Sequence, residues 1–134
     1  MAAHRIQLRG PWEVEAVEPT ARFPSRVQLP CTWGAAFADY LGPVRMGRRF
    51  HRPTNLEPTD HVRLVFVAPG QAGTVTLNGK TLGTFVAQTG ESAFEIADCL
   101  QQSNQILVEL QSPESASKLF WQTVAVEIES GTSI

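Results

Sequence analysis

The stretch that decides the fold is residues 73–85, GTVTLNGKTLGTF. Two segments with alternating apolar residues flank the pair Asn78-Gly79, and Val75 and Leu77 share one face of the first segment. Both residues of an Asn-Gly pair tolerate the positive φ angles that a type I′ turn between antiparallel strands requires. The stretch therefore predicts a β-hairpin in a protein built from paired strands.

The composition indicates one folded domain with a substantial core. The chain has 134 residues, of which 43% are hydrophobic, and we expect a single domain over residues 1–134. The net charge of −2 gives no general attraction to nucleic acid or to acidic membranes, and no apolar run is long enough to span a bilayer. The first residues contain no apolar signal-peptide core. We therefore expect a cytoplasmic protein, or a secreted one whose signal peptide has been removed.

Strand-like segments separated by Pro and Gly turns continue along the rest of the chain. Residues 44–52 alternate Val44, Met46 and Phe50 with charged side chains, whereas residues 61–67 are apolar on both faces, as in a central strand. There are about eight such segments and no convincing amphipathic helix. The pattern predicts an all-β fold, a two-sheet antiparallel jelly-roll sandwich of about eight strands.

An ordered series of short motifs covers nearly the whole chain. The series is Leu29-Pro30-x-x-Trp33, Tyr40-x-Gly42, Arg48-x-Phe50-x-x-Pro53, Val75-x-Leu77-Asn78-Gly79-x-x-x-Gly83, Phe94-x-Ile96-x-x-x-Leu100 and Asn104-x-Ile106-x-Val108. In this order the motifs resemble the N-terminal sugar-binding domain of glycoside hydrolase family 2, the β-galactosidase and β-glucuronidase group. The resemblance implies a galactose-binding-domain-like jelly roll, which is an accessory domain in that family.

The chain departs from the family's pattern in the loops more than in the strands. The family usually has Trp-Tyr-Arg-Arg where residues 45–48 read Arg-Met-Gly-Arg, and it often has Gly-Ile-x-Arg where residues 119–122 read Leu-Phe-Trp-Gln. Catalysis in the family belongs to a separate barrel domain. A retaining glycosidase also needs two carboxyl groups about 5–5.5 Å apart, and the acidic residues here are dispersed along the chain. We therefore expect no enzymatic activity and no catalytic residue.

The resemblance also implies where a sugar would bind. The related domains turn the loops that correspond to residues 31–42, 86–92 and 112–121 towards the ligand. Asp39 and Glu114 lie where some members place a polar residue that touches substrate. The aromatic residues in or beside these loops could form a sugar-stacking surface or pack into the core. The predicted ligand-binding residues are Trp33, Asp39, Tyr40, Glu114 and Trp121.

Histidine and cysteine spacing does not predict a metal or redox site. His4, His51 and His61 are far apart in the sequence and have no metal-ligand spacing, so neither a metal nor a cofactor is expected. Cys31 and Cys99 are isolated from each other, and we expect both to be reduced, packed thiols.

The most basic run, residues 45–52, contains four arginines. Such a run could bind phosphates or RNA, but the domain is acidic and has no aromatic platform motif. We expect instead a solvated strand face on which Arg48 pairs with an acid on its own face.

The sequence therefore predicts a non-catalytic β-sandwich module with a carbohydrate-binding-like fold and weak or no sugar binding. The alternative is a structural or protein-interaction sandwich domain, including one that self-associates. Expected partners are a carbohydrate, another protein or a second copy of the chain, and not nucleic acid or a membrane. A concave polar rim would favour a sugar ligand, whereas a flat apolar patch would favour a protein partner.

Overall fold

The computed structural model describes residues 3–16, 26–29, 31–32, 42–67, 72–86, 90–111, 119–121 and 123–130. The strands of these residues are β1 (Ala3–Gln7), β2 (Trp12–Ala16), β3 (Arg26–Val27), β4 (Cys31–Thr32), β5 (Val44–His51), β6 (His61–Val67), β7 (Gly73–Leu77), β8 (Lys80–Phe85), β9 (Glu91–Glu95), β10 (Ser103–Leu110), β11 (Leu119–Trp121) and β12 (Thr123–Glu129). One 3-10 helix, Ala97–Cys99, precedes β10. No helix of this part of the chain is long and apolar enough to cross a membrane.

All strand pairs among these residues are antiparallel, and ten of the strands form two main sheets. The six-stranded sheet has the order β3-β2-β5-β10-β7-β8, and the four-stranded sheet has the order β1-β12-β6-β9. A third pairing joins β4 to β11. The predicted antiparallel jelly-roll sandwich is confirmed. The described residues contain more strands than the predicted eight, and a two-residue strand such as β4 is too short to show alternation in a sequence.

The hairpin at Asn78-Gly79 forms as predicted. β7 and β8 pair up to Leu77 and Lys80, so only the two central residues form the loop. Asn78 has a φ of 52° and Gly79 a φ of 84°, which are the positive angles of a type I′ turn. The register shifts between Val75 and Thr76, where a bulge occurs.

Strand β6 is covered on both faces, as its apolar sequence predicted. Leu64 and Phe66 face the core between the sheets and are fully buried. Val65 points to the opposite face of the four-stranded sheet, yet it is only 1% exposed. The contact between Arg5 and Glu91 on that outer face, described below, accounts for the burial of Val65.

The core lies between the two sheets and joins them through aromatic contacts. The rings of Phe66, from the four-stranded sheet, and Phe85, from the six-stranded sheet, stack with centroids 4.9 Å apart. Phe94 meets Phe66 edge-on at 5.9 Å. Trp12 is completely buried, and its indole N–H donates a hydrogen bond of 2.8 Å to the carbonyl of Leu8. Burying its ring therefore leaves no unmet indole donor.

Candidate functional site

The residues predicted to bind a ligand lie mostly outside the described part of the chain. This is so for Trp33, Asp39, Tyr40 and Glu114 and for the side chain of Trp121. The backbone of Trp121 belongs to β11 and pairs with Cys31 in β4. The structure thus places the strand that ends one predicted loop beside the strand that leads into another. The roles of the five residues remain predictions.

Two further predictions concern cysteine and histidine. Cys99 is a free, half-buried thiol that packs against the core, and the side chain of Cys31 lies outside the described residues. His4, His51 and His61 are exposed. In the described ranges, no three or more His, Cys, Asp or Glu side chains lie close enough together to hold a metal ion.

The outer face of the four-stranded sheet carries a row of alternating charges. The pairing register places Arg5, Glu127, Arg63 and Glu95 side by side across its four strands. Arg5 Nε donates to Glu127 at 2.9 Å, and Arg63 Nη1 donates to the other oxygen of Glu127 at 3.2 Å. Arg63 also forms an ion pair with Glu95. These charged side chains therefore pair with one another within the sheet.

Arg5 also reaches Glu91, which lies in β9 at the opposite edge of this sheet. Both terminal nitrogens of Arg5 donate to the Glu91 carboxylate at 2.8 Å. To reach Glu91, the Arg5 side chain passes over the neighbouring pair Ala125 and Val65. This explains why Ala125 and Val65 are buried although they lie on the outer face of the sheet. The hydrogen bonds from Arg5 hold the pKa of Glu91 below its usual range, and the same contact raises the pKa of Arg5. A general acid would need the opposite shift.

The outer face of the six-stranded sheet contains a groove with a volume of about 440 Å³. We call it the Gly47 groove, because Gly47 lies in its floor between Glu13 of β2 and Leu107 of β10. The polar residues that surround the floor come from four neighbouring strands: Glu13, Glu15, Arg26, Arg45 and Gln105. This groove was not predicted from the sequence. The available signal was an isolated glycine inside a strand, which often marks a place where another group approaches the backbone.

The ion pairs beside the Gly47 groove are long and exposed. Arg26 and Glu13 are 3.9 Å apart, with side chains 67% and 77% exposed. Arg45 lies 3.7 Å from Glu15 and 3.9 Å from Glu109. These separations exceed hydrogen-bond distance, unlike the contacts of the four-stranded sheet.

Among the described residues, no acid pairs with Arg48, so the ion pair predicted on its own face is not found there. It lies on the core face of β5, between Met46 and Phe50, and the register puts the apolar Ile106 beside it. Its Nε and Nη1 atoms are buried and have no hydrogen-bond partner among the described residues. Burial lowers the pKa of the guanidinium. The prediction put Arg48 on a solvated face, and no acidic residue of the described ranges pairs with it on the inward face.

Comparisons with known proteins identify the architecture. No protein-family model matches the chain, and a search of curated proteins finds no match. Among solved structures, the chain superposes on a Bacteroides fragilis chain named as a β-galactosidase, with a TM-score of 0.73 and 21% identity over 97% of this chain and 24% of the other. A Bifidobacterium dentium β-glucuronidase matches with a TM-score of 0.76 and 15% identity, over 98% of this chain and 30% of that one. A Ruminococcus gnavus β-glucuronidase matches with a TM-score of 0.72 and 16% identity, over 94% and 28% respectively.

These similarities define the class of the chain by its fold. It has the sandwich architecture of a module found in β-galactosidase and β-glucuronidase chains, as the sequence motifs predicted. The chain spans about a quarter of the length of the glycosidase chains that it matches. The fold thus corresponds to one part of those proteins, and at these identities the likeness extends to the fold alone.

Proposed function

We infer that this chain is a non-catalytic accessory module of a carbohydrate-active protein. The observation that carries the proposal is the fold match, which covers 94–98% of this chain but only 24–30% of the three glycosidase chains. An accessory module would give such a match, because it would align over its whole length with only one part of the larger enzyme chain.

The carboxylates of the described residues support a binding or structural role. Seven glutamates on the outer faces of the sheets form ion pairs with arginines: Glu13, Glu15, Glu91, Glu95, Glu109, Glu127 and Glu129. Retaining hydrolysis needs a pair of facing carboxyl groups, one of them with a raised pKa. Glu91 shows the reverse, since Arg5 lowers its pKa.

Sugar binding by such a module should be weak. The Gly47 groove is open and its walls are exposed, so few hydrogen bonds to a ligand would be shielded from water. We expect a dissociation constant of about 1 mM or weaker, which corresponds to roughly 4 kcal/mol.

The test is to incubate the purified chain with chromogenic β-galactoside and β-glucuronide substrates. We expect no hydrolysis above the buffer control. Hydrolysis that survives repurification and disappears when a single acidic residue is replaced would overturn the proposal. Replacing Glu57, an exposed residue outside the ion-pair networks, is the control for loss of activity through general damage.

The alternative function predicted from the sequence, a protein-interaction domain, is tested by a separate measurement. The exposed large apolar residues in the described ranges are Ile6, in β1 at an edge of the four-stranded sheet, and Val86, directly after β8 at an edge of the six-stranded sheet. Isolated apolar side chains are ordinary on a protein surface. Sedimentation velocity over a wide concentration range should therefore show one species, and a concentration-dependent dimer would favour the alternative.

A further inference from the structure

We propose that the Gly47 groove binds a neutral oligosaccharide through hydrogen bonds, on the outer face of the six-stranded sheet rather than at the loops. This inference rests on the proposed accessory role and names the surface that would carry it out. The argument uses the floor of the groove, its walls and its charge balance.

The floor is open because residue 47 has no side chain, although its backbone does not demand a glycine. Gly47 is not among the residues with positive φ, and it sits in the regular pairing of β5 with β2 and β10. A Cβ added there would meet Gln105 Nε2 at 3.3 Å and the carbonyl of Ile106 at 3.5 Å. The closer atom is the end of a flexible side chain. A larger residue could therefore occupy the position, and glycine keeps the floor accessible.

The walls have hydrogen-bonding capacity that the protein itself does not use fully. The Arg26–Glu13 and Arg45–Glu15 pairs are 3.9 and 3.7 Å apart, too long for direct hydrogen bonds. On the opposite sheet, by contrast, Arg5 and Glu91 are joined by bonds of 2.8 Å. A ligand in the groove can form bonds to these side chains without first breaking strong ones. A ligand on the four-stranded sheet would have to break them.

The charge balance of the walls selects the class of ligand. Two carboxylates and two guanidinium groups face the groove, so their formal charges cancel. A phosphate-rich ligand would meet Glu13 and Glu15, and a cationic peptide would meet Arg26 and Arg45. Sugar hydroxyls both donate and accept, so they can bond to carboxylates, guanidinium groups and the Gln105 amide together. Leu107 adds an apolar surface for the C–H groups of a sugar ring.

The extent of the groove favours an oligosaccharide over a single sugar. Its lining comes from β3, β2, β5 and β10, which are consecutive neighbours in the sheet. Strands lie about 4.8 Å apart, so the groove crosses roughly 14 Å of the sheet. A volume of about 440 Å³ is within the usual range of ligand sites.

The experiment is an amide NMR titration of the full chain with three probes, the β-1,4-linked tetrasaccharides of glucose, xylose and galactose. At least one probe should shift the amides of Gly47, Gln105 and Leu107 in a saturable manner. The variant Gly47→Thr fills the floor and should weaken binding at least tenfold. Its thermal midpoint should not fall, because threonine suits a strand better than glycine does.

A second variant keeps the test valid if Gly47→Thr fails to fold. Gln105→Ala removes one wall of the groove and should also reduce binding, whereas the matched control Gln7→Ala, an exposed glutamine on the other sheet, should not. Shifts that cluster near Thr32 and Trp121 and persist in Gly47→Thr would overturn the proposal that the Gly47 groove is the binding site, while leaving the accessory role intact. No shift with any probe at tens of millimolar would also overturn it. Cleavage of a probe would instead overturn the proposed function.

Discussion

The side-chain amide of Asn78 donates a hydrogen bond of 3.0 Å to Oδ1 of Asn104, a core residue that is only 1% exposed. The same amide donates to the carbonyl of Cys99 at 2.9 Å, and its oxygen accepts from the backbone N–H of Gln105 at 2.8 Å. Asn78 thus forms the tight turn and also anchors it to β10 and the 3-10 helix. The hairpin that identified the fold is fixed by its side chain as well as by its φ angle.

Replacing Gly79 with Val should reduce the free energy of unfolding by more than about 1 kcal/mol, since a β-branched residue avoids positive φ. No heavy atom lies within 4 Å of a Cβ built at Gly79, so the penalty comes from the backbone angle of 84° and not from a clash. Urea unfolding measures the change. The control Gly79→Asn should lose less stability than Gly79→Val, because asparagine tolerates a positive φ angle. Equal stability of the Val variant and the wild type would contradict the assigned turn.

Replacing Asn104 with Leu should reduce the free energy of unfolding by about 2 kcal/mol or more, because several polar groups lose their hydrogen-bond partner together. The Asn104 side chain accepts from the N–H of Gln101 at 2.8 Å and donates to the carbonyl of Gln101 at 2.9 Å, in addition to its bond with Asn78. Chemical denaturation of this variant should be compared with Gln102→Leu, an exposed neighbour that should change stability little. Similar stabilities for the two variants would show that the polar network contributes nothing.

Replacing Arg48 with Met should raise the free energy of unfolding by about 1 kcal/mol or more. Its Nε and Nη1 atoms are buried and have no hydrogen-bond partner in the described part of the chain, so they carry a desolvation cost that an apolar side chain of similar length avoids. The neighbouring Arg49 is exposed, so Arg49→Met is the matched control and should be close to neutral. The thermal midpoint is the measurement. A clear decrease for Arg48→Met would mean that the guanidinium has a stabilising partner.

The Arg5–Glu91 bridge should make stability depend on pH in the acidic range. The hydrogen bonds from Arg5 hold the folded pKa of Glu91 below its usual range, so the bridge contributes stability above the unfolded pKa and loses it as the pH falls through the folded pKa. The side chains are 32% and 43% exposed, which limits the contribution to at most about 1 kcal/mol. Glu91→Gln should therefore be less stable than the wild type at pH 7 and equal to it near pH 2. A difference that is independent of pH would contradict the bridge.

The sequence predicted those features that depend on neighbours along the chain. The Asn78-Gly79 turn, the two-sided burial of β6 and the sandwich class all follow from local composition and alternation. The Gly47 groove could not be predicted in this way, because Glu13, Gln105 and the glycine come from strands far apart in sequence. The same holds for the bridge between Arg5 and Glu91, which requires the order of the four-stranded sheet.

Arg48 shows a different limit of prediction from sequence. The parity that Arg48 shares with Met46 and Phe50 points its side chain inward, whereas the prediction placed it on a solvated strand face beside an acidic partner. The cross-strand neighbour turned out to be Ile106. Parity gives the direction of a side chain, whereas its partners depend on which strands are adjacent.

The proposed non-catalytic sugar-binding module is tested most directly by one NMR sample that contains the labelled chain and a β-1,4-linked tetrasaccharide. The protein amides report binding, and the anomeric signals of the sugar report cleavage in the same tube. We predict saturable shifts around Gly47 with half-saturation at about 1 mM or above, and an unchanged sugar spectrum after prolonged incubation. Loss of the tetrasaccharide signals, abolished by replacing one acidic residue, would contradict the central claim.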